Sequence, residues 1–317
     1  MLGRFKDIFV SGGAGFIGAH MVSELLKNGF KLRVLDDLST GKVENIVHHL
    51  NNPDFCFIKG DVRDKKIVNE ALRDVKAVCH LAAISSVPFS VKNPRITFQI
   101  NLEGTRNLLE LSVRNEVEKF IFASTSAVYG DPVYLPIDEE HPTNPKSPYA
   151  LTKLKAEQLC REFEEKYGLN VTILRLFNVY GPGSRCDSYG GVIAQFINRL
   201  RNNKPLLIYG DGTQTRDFVH VKDVVQAFLH TLSFENTSEN KVFNIATGKP
   251  TTINELARLL MDLTGKETKI KYLKARKGDI KHSYANIKKA ERSLGYKPNI
   301  PLKEGLLTII NHQDDRS

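Results

Sequence analysis

The chain has 317 residues, 41% of them apolar and 26% charged, with a formal net charge of +9. This composition supplies a buried core and excludes a disordered chain or a disulfide-stapled miniprotein. No apolar run approaches the roughly 18 residues of a membrane span, and Met1 to Asp7 lacks the pattern of a signal peptide, so a cytoplasmic protein with no membrane partner is expected.

Expected strands lie at Ile8 to Val10, Leu32 to Leu35, Phe55 to Ile58, Val78 to Leu81, Phe120 to Phe122 and Val171 to Leu174. Helical periodicity fills the intervals at Ile17 to Leu26, Ile67 to Leu72, Ile96 to Val113 and Tyr149 to Tyr167. Repeated strand and helix predict an α/β fold with a doubly wound parallel sheet of Rossmann type. After about residue 180 the alternation weakens. Short strands at Leu206 to Tyr209, Val242 to Ile245 and Ile270 to Leu273 sit among helices at Val192 to Leu200, Val221 to Leu232, Ile253 to Leu263 and Asn286 to Leu294. The expected division is 1–180 for a dinucleotide-binding domain, to which some later segments return, and 181–317 for a smaller mixed α/β part that binds substrate. The Pro- and Gly-rich connections Asp131 to Pro148 and Tyr180 to Gly191 are long enough to be functional loops.

The charge is not evenly spread. Gly265 to Lys303 holds twelve Lys or Arg against Glu267, Asp279 and Glu291, which accounts for the whole net charge. A solvated face is the first reading, a small anionic ligand the second and nucleic acid the third, because no RNA-binding motif accompanies the run. Cys56, Cys79, Cys160 and Cys186 are scattered without metal-ligand or CxxC spacing, so reduced thiols and no metal are expected.

The first strand leads into Gly12-Gly13-Ala14-Gly15-Phe16-Ile17-Gly18 and then a helix. Glycines allow a tight turn and close approach of a pyrophosphate to the helix N-terminus, so Gly12, Gly15, Phe16, Ile17 and Gly18 are candidate dinucleotide contacts. Asp36 ends the second strand, 21 residues beyond Gly15. A carboxylate there accepts from the adenosine ribose hydroxyls and repels a 2′-phosphate, which favours NAD over NADP. Alternatively, Asp36 or Asp37 begins the loop Leu38 to Gly41. Asp61 and Val62, after the third strand, would sit beside the adenine, with Asp61 as a helix N-cap the competing reading.

Tyr149 and Lys153, four residues apart, project from one helix face. A lysine beside the phenol, together with the positive charge of an oxidised nicotinamide, would lower the tyrosine's pKa and make it a general base. Tyr284 and Lys288 share the spacing but lie in the basic segment. Thr125, at the carboxyl edge of the fifth strand, could hydrogen-bond the oxygen that Tyr149 deprotonates, with Ser124 and Ser126 as competitors.

Taken together, GGAGFIG at 12–18, DDLSTG at 36–41, HLAA at 80–83, ASTSAVYG at 123–130, the Tyr149/Lys153 pair, RLFNVYGPG at 175–183, DGTQTRDFVHVKDV at 211–224, FNIATG at 243–248 and RKGD at 276–279 resemble the extended short-chain dehydrogenase/reductase family. They fall closest to its NAD-dependent nucleotide-sugar epimerases and dehydratases, and to UDP-glucose 4-epimerase in particular. The resemblance implies that Thr125, Tyr149 and Lys153 are catalytic and that Leu81, Ala82, Ala83 and Phe177 line the NAD. It implies that Ser85, Asn178, Val192, Tyr209, Arg216, Arg276, Asp279 and Ser283 contact the UDP-sugar, alongside Thr125 and Tyr149. Ala127 stands where dehydratases and decarboxylases carry an acid, and no cysteine adjoins the Thr125 turn as in enzymes that epimerise C3 and C5. C4 epimerisation is what remains. A small Ser283 would also admit an N-acetyl group at the sugar's C2. Ser85 replaces a lysine near the pyrophosphate in galactose-pathway members, which implies looser NAD retention. The family further implies a homodimer built from the helices Ile96 to Val113 and Tyr149 to Tyr167.

Overall fold

A computed structural model describes residues 5–184, 191–233, 241–275 and 280–314. In chain order it begins β1 (Asp7–Ser11), α1 (Phe16–Lys27), β2 (Lys31–Asp36), β3 (Phe55–Lys59), α2 (Lys65–Ala71), β4 (Ala77–His80), α3 (Val87–Lys92), α4 (Pro94–Phe98), α5 (Gly104–Arg114), β5 (Lys119–Thr125), α6 (Pro148–Tyr167) and β6 (Asn170–Leu176). It continues β7 (Asn178–Tyr180), α7 (Val192–Arg201), β8 (Leu206–Tyr209), β9 (Thr215–His220), α8 (Val221–Ser233), β10 (Val242–Ile245), β11 (Pro250–Thr252), α9 (Ile253–Thr264), β12 (Ile270–Leu273), α10 (Lys288–Leu294) and α11 (Leu302–Asp314).

Seven parallel strands form the central sheet in the order β10-β6-β5-β4-β1-β2-β3. The two-residue period of a strand sends alternate side chains to opposite faces. Ile8 and Val10 of β1 join Met21, Val22 and Leu25 of α1 and Val224 and Phe228 of α8 on one side. Phe9, Phe120 and Phe122 join Leu108 and Leu109 of α5 and Leu159 and Phe163 of α6 on the other. Each such buried side chain contributes on the order of 2 kcal/mol. A separate core holds Phe196 and Leu200 of α7, Leu206 and Ile208 of β8, Leu256 and Leu260 of α9, and Leu306 and Ile309 of α11.

Several expectations change in detail. Val242 to Ile245, expected among the later mixed elements, is β10, the edge of the central sheet beside β6. The expected helix at Ile96 to Val113 starts at Pro94 and is interrupted by a wider π turn, Gln99–Glu103. Gly104 restarts the α-helix where a Cβ would lie 2.5 Å from Val62 Cγ2, so helix and loop are in direct contact there. The Asn286 to Leu294 helix begins only at Lys288, because Asn286 N–H is drawn to the Ile137 carbonyl at 2.7 Å. Patterning did not reveal β7, β9 and β11, which form their own small sheet, nor α3 and α11. The basic run is largely a solvated face, with Lys269, Lys271, Lys274, Lys281, Lys288, Arg292, Lys297 and Lys303 all exposed. Cys79 and Cys160 are buried free thiols and Cys56 an exposed one, while Cys186 lies outside the described residues.

Candidate active site

The glycine turn divides its labour. Gly12 has φ +74°, and a Cβ there would lie 2.7 Å from Ala82 N; one on Gly18 would lie 2.1 Å from the Gly12 carbonyl oxygen. These two glycines let β1, the turn and the end of β4 close on each other. At Gly15 a Cβ would meet only the Gly12 oxygen, at 3.2 Å, so this position is less crowded than the other two. Gly15 caps α1 with no side-chain hydrogen bond, and the first turn carries no acid. Its leading N–H groups therefore remain donors at the positive helix end, a chemistry that fits a pyrophosphate.

Asp36 is buried, and its carboxylate accepts from Ala14 N–H and Leu38 N–H, each at 2.9 Å. The loop-starting reading thus holds alongside the ribose reading, since a carboxylate has lone pairs beyond these two bonds. Burial raises the Asp36 pKa, and backbone N–H groups of Leu38, Ala14 and Gly15 oppose that rise. Asp61 is not the N-cap of α2. Asp64 is, accepting from Lys66 N–H and Ile67 N–H, while Asp61 pairs with the Arg63 guanidinium, which lowers its pKa. Val62 is buried, and its carbonyl accepts from the Asn107 side chain at 3.3 Å.

A chain of hydrogen bonds that the sequence did not disclose supports this turn. Ala82 N–H donates to Ser11 Oγ at 3.3 Å, and Ser11 Oγ lies 2.7 Å from His80 Nδ1. His80 Nε2 lies 2.8 Å from Thr105 Oγ1, whose hydroxyl donates to the Asn101 carbonyl at 2.6 Å. Since Thr105 spends its proton on Asn101, His80 must donate from Nε2 and accept at Nδ1. Burial and the nearby Lys153 hold its pKa far below the usual value, so it stays neutral. Asn101, in the π turn, grips the Ile84 backbone through both amide atoms and donates to Thr152 of α6 at 3.1 Å. The segment Leu81-Ala82-Ala83 thus runs between the glycine turn and the helix that carries Tyr149.

Helix α6 begins at a Ser147 cap, whose hydroxyl accepts from Ala150 N–H at 3.2 Å, and ends at Gly168 with φ +71°. Tyr149 and Lys153 share a face, and the Thr125 hydroxyl sits beside the Tyr149 phenol, where it opposes the effect of burial on the phenol. Thr125 is the last residue of β5, and its Oγ1 also accepts from Ala127 N–H at 3.2 Å. Ser124 is withdrawn from the competition because its hydroxyl donates to Glu157 at 2.5 Å. Lys153 is buried with Nζ donating to the Ala123 carbonyl at 2.8 Å and standing 4.6 Å from the Phe122 ring centroid. Burial lowers its pKa to about 8. The expected lowering of the Tyr149 phenol is not present in the chain alone. Its pKa is raised, because burial outweighs the effect of the Thr125 hydroxyl and the ammonium is directed at the Ala123 carbonyl. The Tyr284/Lys288 pair is not a helical pair, since α10 starts at Lys288 and the Tyr284 carbonyl accepts from Ile137 N–H.

The other candidate residues fall as follows. Phe177 is buried in the core, 6.4 Å from the Tyr129 ring. Asn178 donates from its side chain to the Asp217 carbonyl at 3.4 Å, and Arg216 donates to the Thr215 carbonyl at 2.8 Å. Ser283 is buried and its N–H donates to the Thr215 carbonyl at 3.2 Å, so the Ser283 segment runs beside the start of β9, the strand that carries Arg216. Tyr209 ends β8 and Val192 begins α7, both half-buried, whereas Ser85 is exposed. Arg276 and Asp279 lie outside the described residues.

A family model described as NAD dependent epimerase/dehydratase family matches residues 8–246. The chain belongs to that family. It is accordingly an enzyme whose cofactor is NAD, of the nucleotide-sugar epimerase and dehydratase type. A Methanocaldococcus jannaschii protein provisionally named UDP-glucose 4-epimerase is 43% identical over 96% of this chain and 97% of that protein. The Thermotoga maritima UDP-glucose 4-epimerase, solved with UDP-glucose, superposes with a TM-score of 0.92 at 38% identity, covering 98% of this chain and 99% of that one. The UDP-N-acetylglucosamine 4-epimerase of Methanobrevibacter ruminantium, solved with UDP-N-acetylmuramic acid, gives 0.93 at 37% identity over 99% and 100%.

Proposed function

We propose that the chain is a UDP-sugar 4-epimerase that interconverts UDP-glucose and UDP-galactose. The observation that carries this reading is the placement of Thr125, at the carboxyl edge of β5, beside the Tyr149 phenol, with Ala127 the next side chain but one. A turn with hydroxyls and no carboxylate suits oxidation and reduction at one carbon and lacks the extra acid or base that elimination of water needs.

In this reading the pyrophosphate of NAD rests on the Gly12 to Gly18 turn, its adenosine ribose on Asp36, its adenine beside Asp61 and Val62, and its nicotinamide end near Lys153 and Phe177. Bound there, NAD supplies the acceptor and donor of the C4 hydride and a positive charge that favours the tyrosinate. Tyr149 takes the proton of the C4 hydroxyl, and Thr125 hydrogen-bonds the same oxygen. Lys153 holds the ribose and keeps a cation behind the phenol. Asn178 and Arg216 hold the diphosphate, with Arg276 and Asp279 completing the nucleotide grip, so that the sugar can turn about its link before C4 is reduced on the other face. Residues 1–180 then form the NAD-binding part and 181–317 most of the UDP-sugar part. Half-buried Ile96, Phe98 and Ile100 support a homodimer through the first of the two long helices.

A second sugar pair is favoured by one feature. Ser283 is small and sits on the strand edge beside Arg216, which suits an N-acetyl group at C2 and hence UDP-GlcNAc and UDP-GalNAc. Tyr149→Phe removes the proton acceptor and keeps the ring, so turnover should fall by about a thousandfold while UDP binding measured by calorimetry stays within about twofold. Turnover equal to that of the parent chain would overturn the assignment of Tyr149.

A further inference from the structure

Asp217 in β9 is fully buried and gathers four donors on two oxygens. Oδ1 accepts from the Thr247 N–H at 2.8 Å and from the Thr247 hydroxyl at 2.6 Å. Oδ2 accepts from Gly248 N–H at 2.9 Å and Ala285 N–H at 3.2 Å. These donors come from two remote stretches: the turn that leaves β10 of the central sheet, and the extended segment just past Ser283. The backbone of Asp217 adds a third, because its carbonyl accepts from the Asn178 side chain at 3.4 Å. Two of these three stretches carry or adjoin a side chain assigned above to the UDP-sugar, Asn178 on β7 and Ser283 two residues before Ala285, and Arg216 is next to Asp217 on β9.

We propose that Asp217 is a positioning residue for the nucleotide half of the site, one buried carboxylate that fixes Arg216, Asn178 and the Ser283 segment against the central sheet. The inference rests on the reading that the chain binds a UDP-sugar. The chemistry of epimerisation gives such a clamp its use, since the diphosphate must stay fixed while the sugar turns. Only a carboxylate suits the position. An asparagine of the same shape would offer one oxygen to one pair of donors and turn its NH2 toward the other pair, leaving N–H facing N–H in a dry environment. Burial raises the pKa of Asp217, and the four donors counter that rise by favouring the charged form.

The test compares Asp217→Asn and Thr247→Val with the full-length parent. Affinity for UDP and for NAD is measured separately by calorimetry, with kcat and KM for UDP-galactose alongside. Asp217→Asn is expected to weaken UDP and raise KM by about tenfold or more, while NAD affinity and kcat change by less than about threefold. Thr247→Val keeps all three backbone bonds and should show a smaller loss in the same direction, which protects the test if Asp217→Asn does not fold. UDP affinity unchanged in either folded, NAD-binding variant would overturn the inference, and so would parallel losses of UDP and NAD affinity, which mark a merely structural role. If the parent chain itself fails to bind UDP, the nucleotide-sugar reading falls and takes this inference with it.

Discussion

Burial lowers the Lys153 pKa to about 8 because the low-dielectric surroundings disfavour the ammonium. The cation that Tyr149 needs behind its phenol is therefore present below about pH 8 and lost as pH rises through it. Turnover should fall on the alkaline side with a midpoint near that value. Lys153→Arg, whose guanidinium does not titrate in this range, should lose that limb whatever its residual rate. A steady-state pH profile from 6 to 10.5 checks this, and an alkaline limb identical in both proteins would count against Lys153 as its source. Thr125 could not be separated from Ser124 by spacing, since both are hydroxyls at a strand end. The structure separates them by giving Ser124 a buried carboxylate to bind.

Helix α6 carries that carboxylate. Glu157 lies one turn beyond Lys153 and pairs with Arg175 of β6 at 2.7 Å, with both side chains buried. Arg175 in turn donates to the Tyr129 hydroxyl at 2.9 Å, which donates to Asn244 of β10 at 2.7 Å. Helix α6, strand β6 and the sheet edge β10 are thus joined through one buried ion pair. Glu157→Gln strands the Arg175 charge, and a loss of about 3 kcal/mol or more in urea unfolding is expected. The double variant Glu157→Gln with Arg175→Met should recover part of it, whereas a loss below about 1 kcal/mol for the single change would show that the pair does not hold these elements together. Helical spacing also makes Arg161, four residues on, a neighbour of Glu157. Arg161 is indeed 4.0 Å away but exposed, and helical spacing alone does not say which way a glutamate turns.

At the scale of the molecule, the central sheet was legible because its strands are apolar on both faces and punctuated by helices of clear period. The smaller sheet β11-β9-β7 was not, since Asn178–Tyr180 and Pro250–Thr252 are three residues each and Thr215–His220 opens on three consecutive polar residues, Thr215, Arg216 and Asp217, rather than an alternating pattern. That sheet nonetheless carries Asn178 and Arg216, the residues proposed to hold the diphosphate, and the motif containing Arg216 pointed to it through resemblance, not periodicity. Asp217, adjacent in the same motif, gave no signal of its own because the four donors it binds come from residues 30 or more positions away.

The most direct measurement is a coupled assay of the purified chain with UDP-galactose, scoring UDP-glucose, run beside UDP-GalNAc and UDP-glucuronate with and without added NAD. Conversion of UDP-galactose at the highest kcat/KM of the three is the expected result. No conversion of UDP-galactose by folded, NAD-loaded protein would contradict the proposed interconversion of UDP-glucose and UDP-galactose.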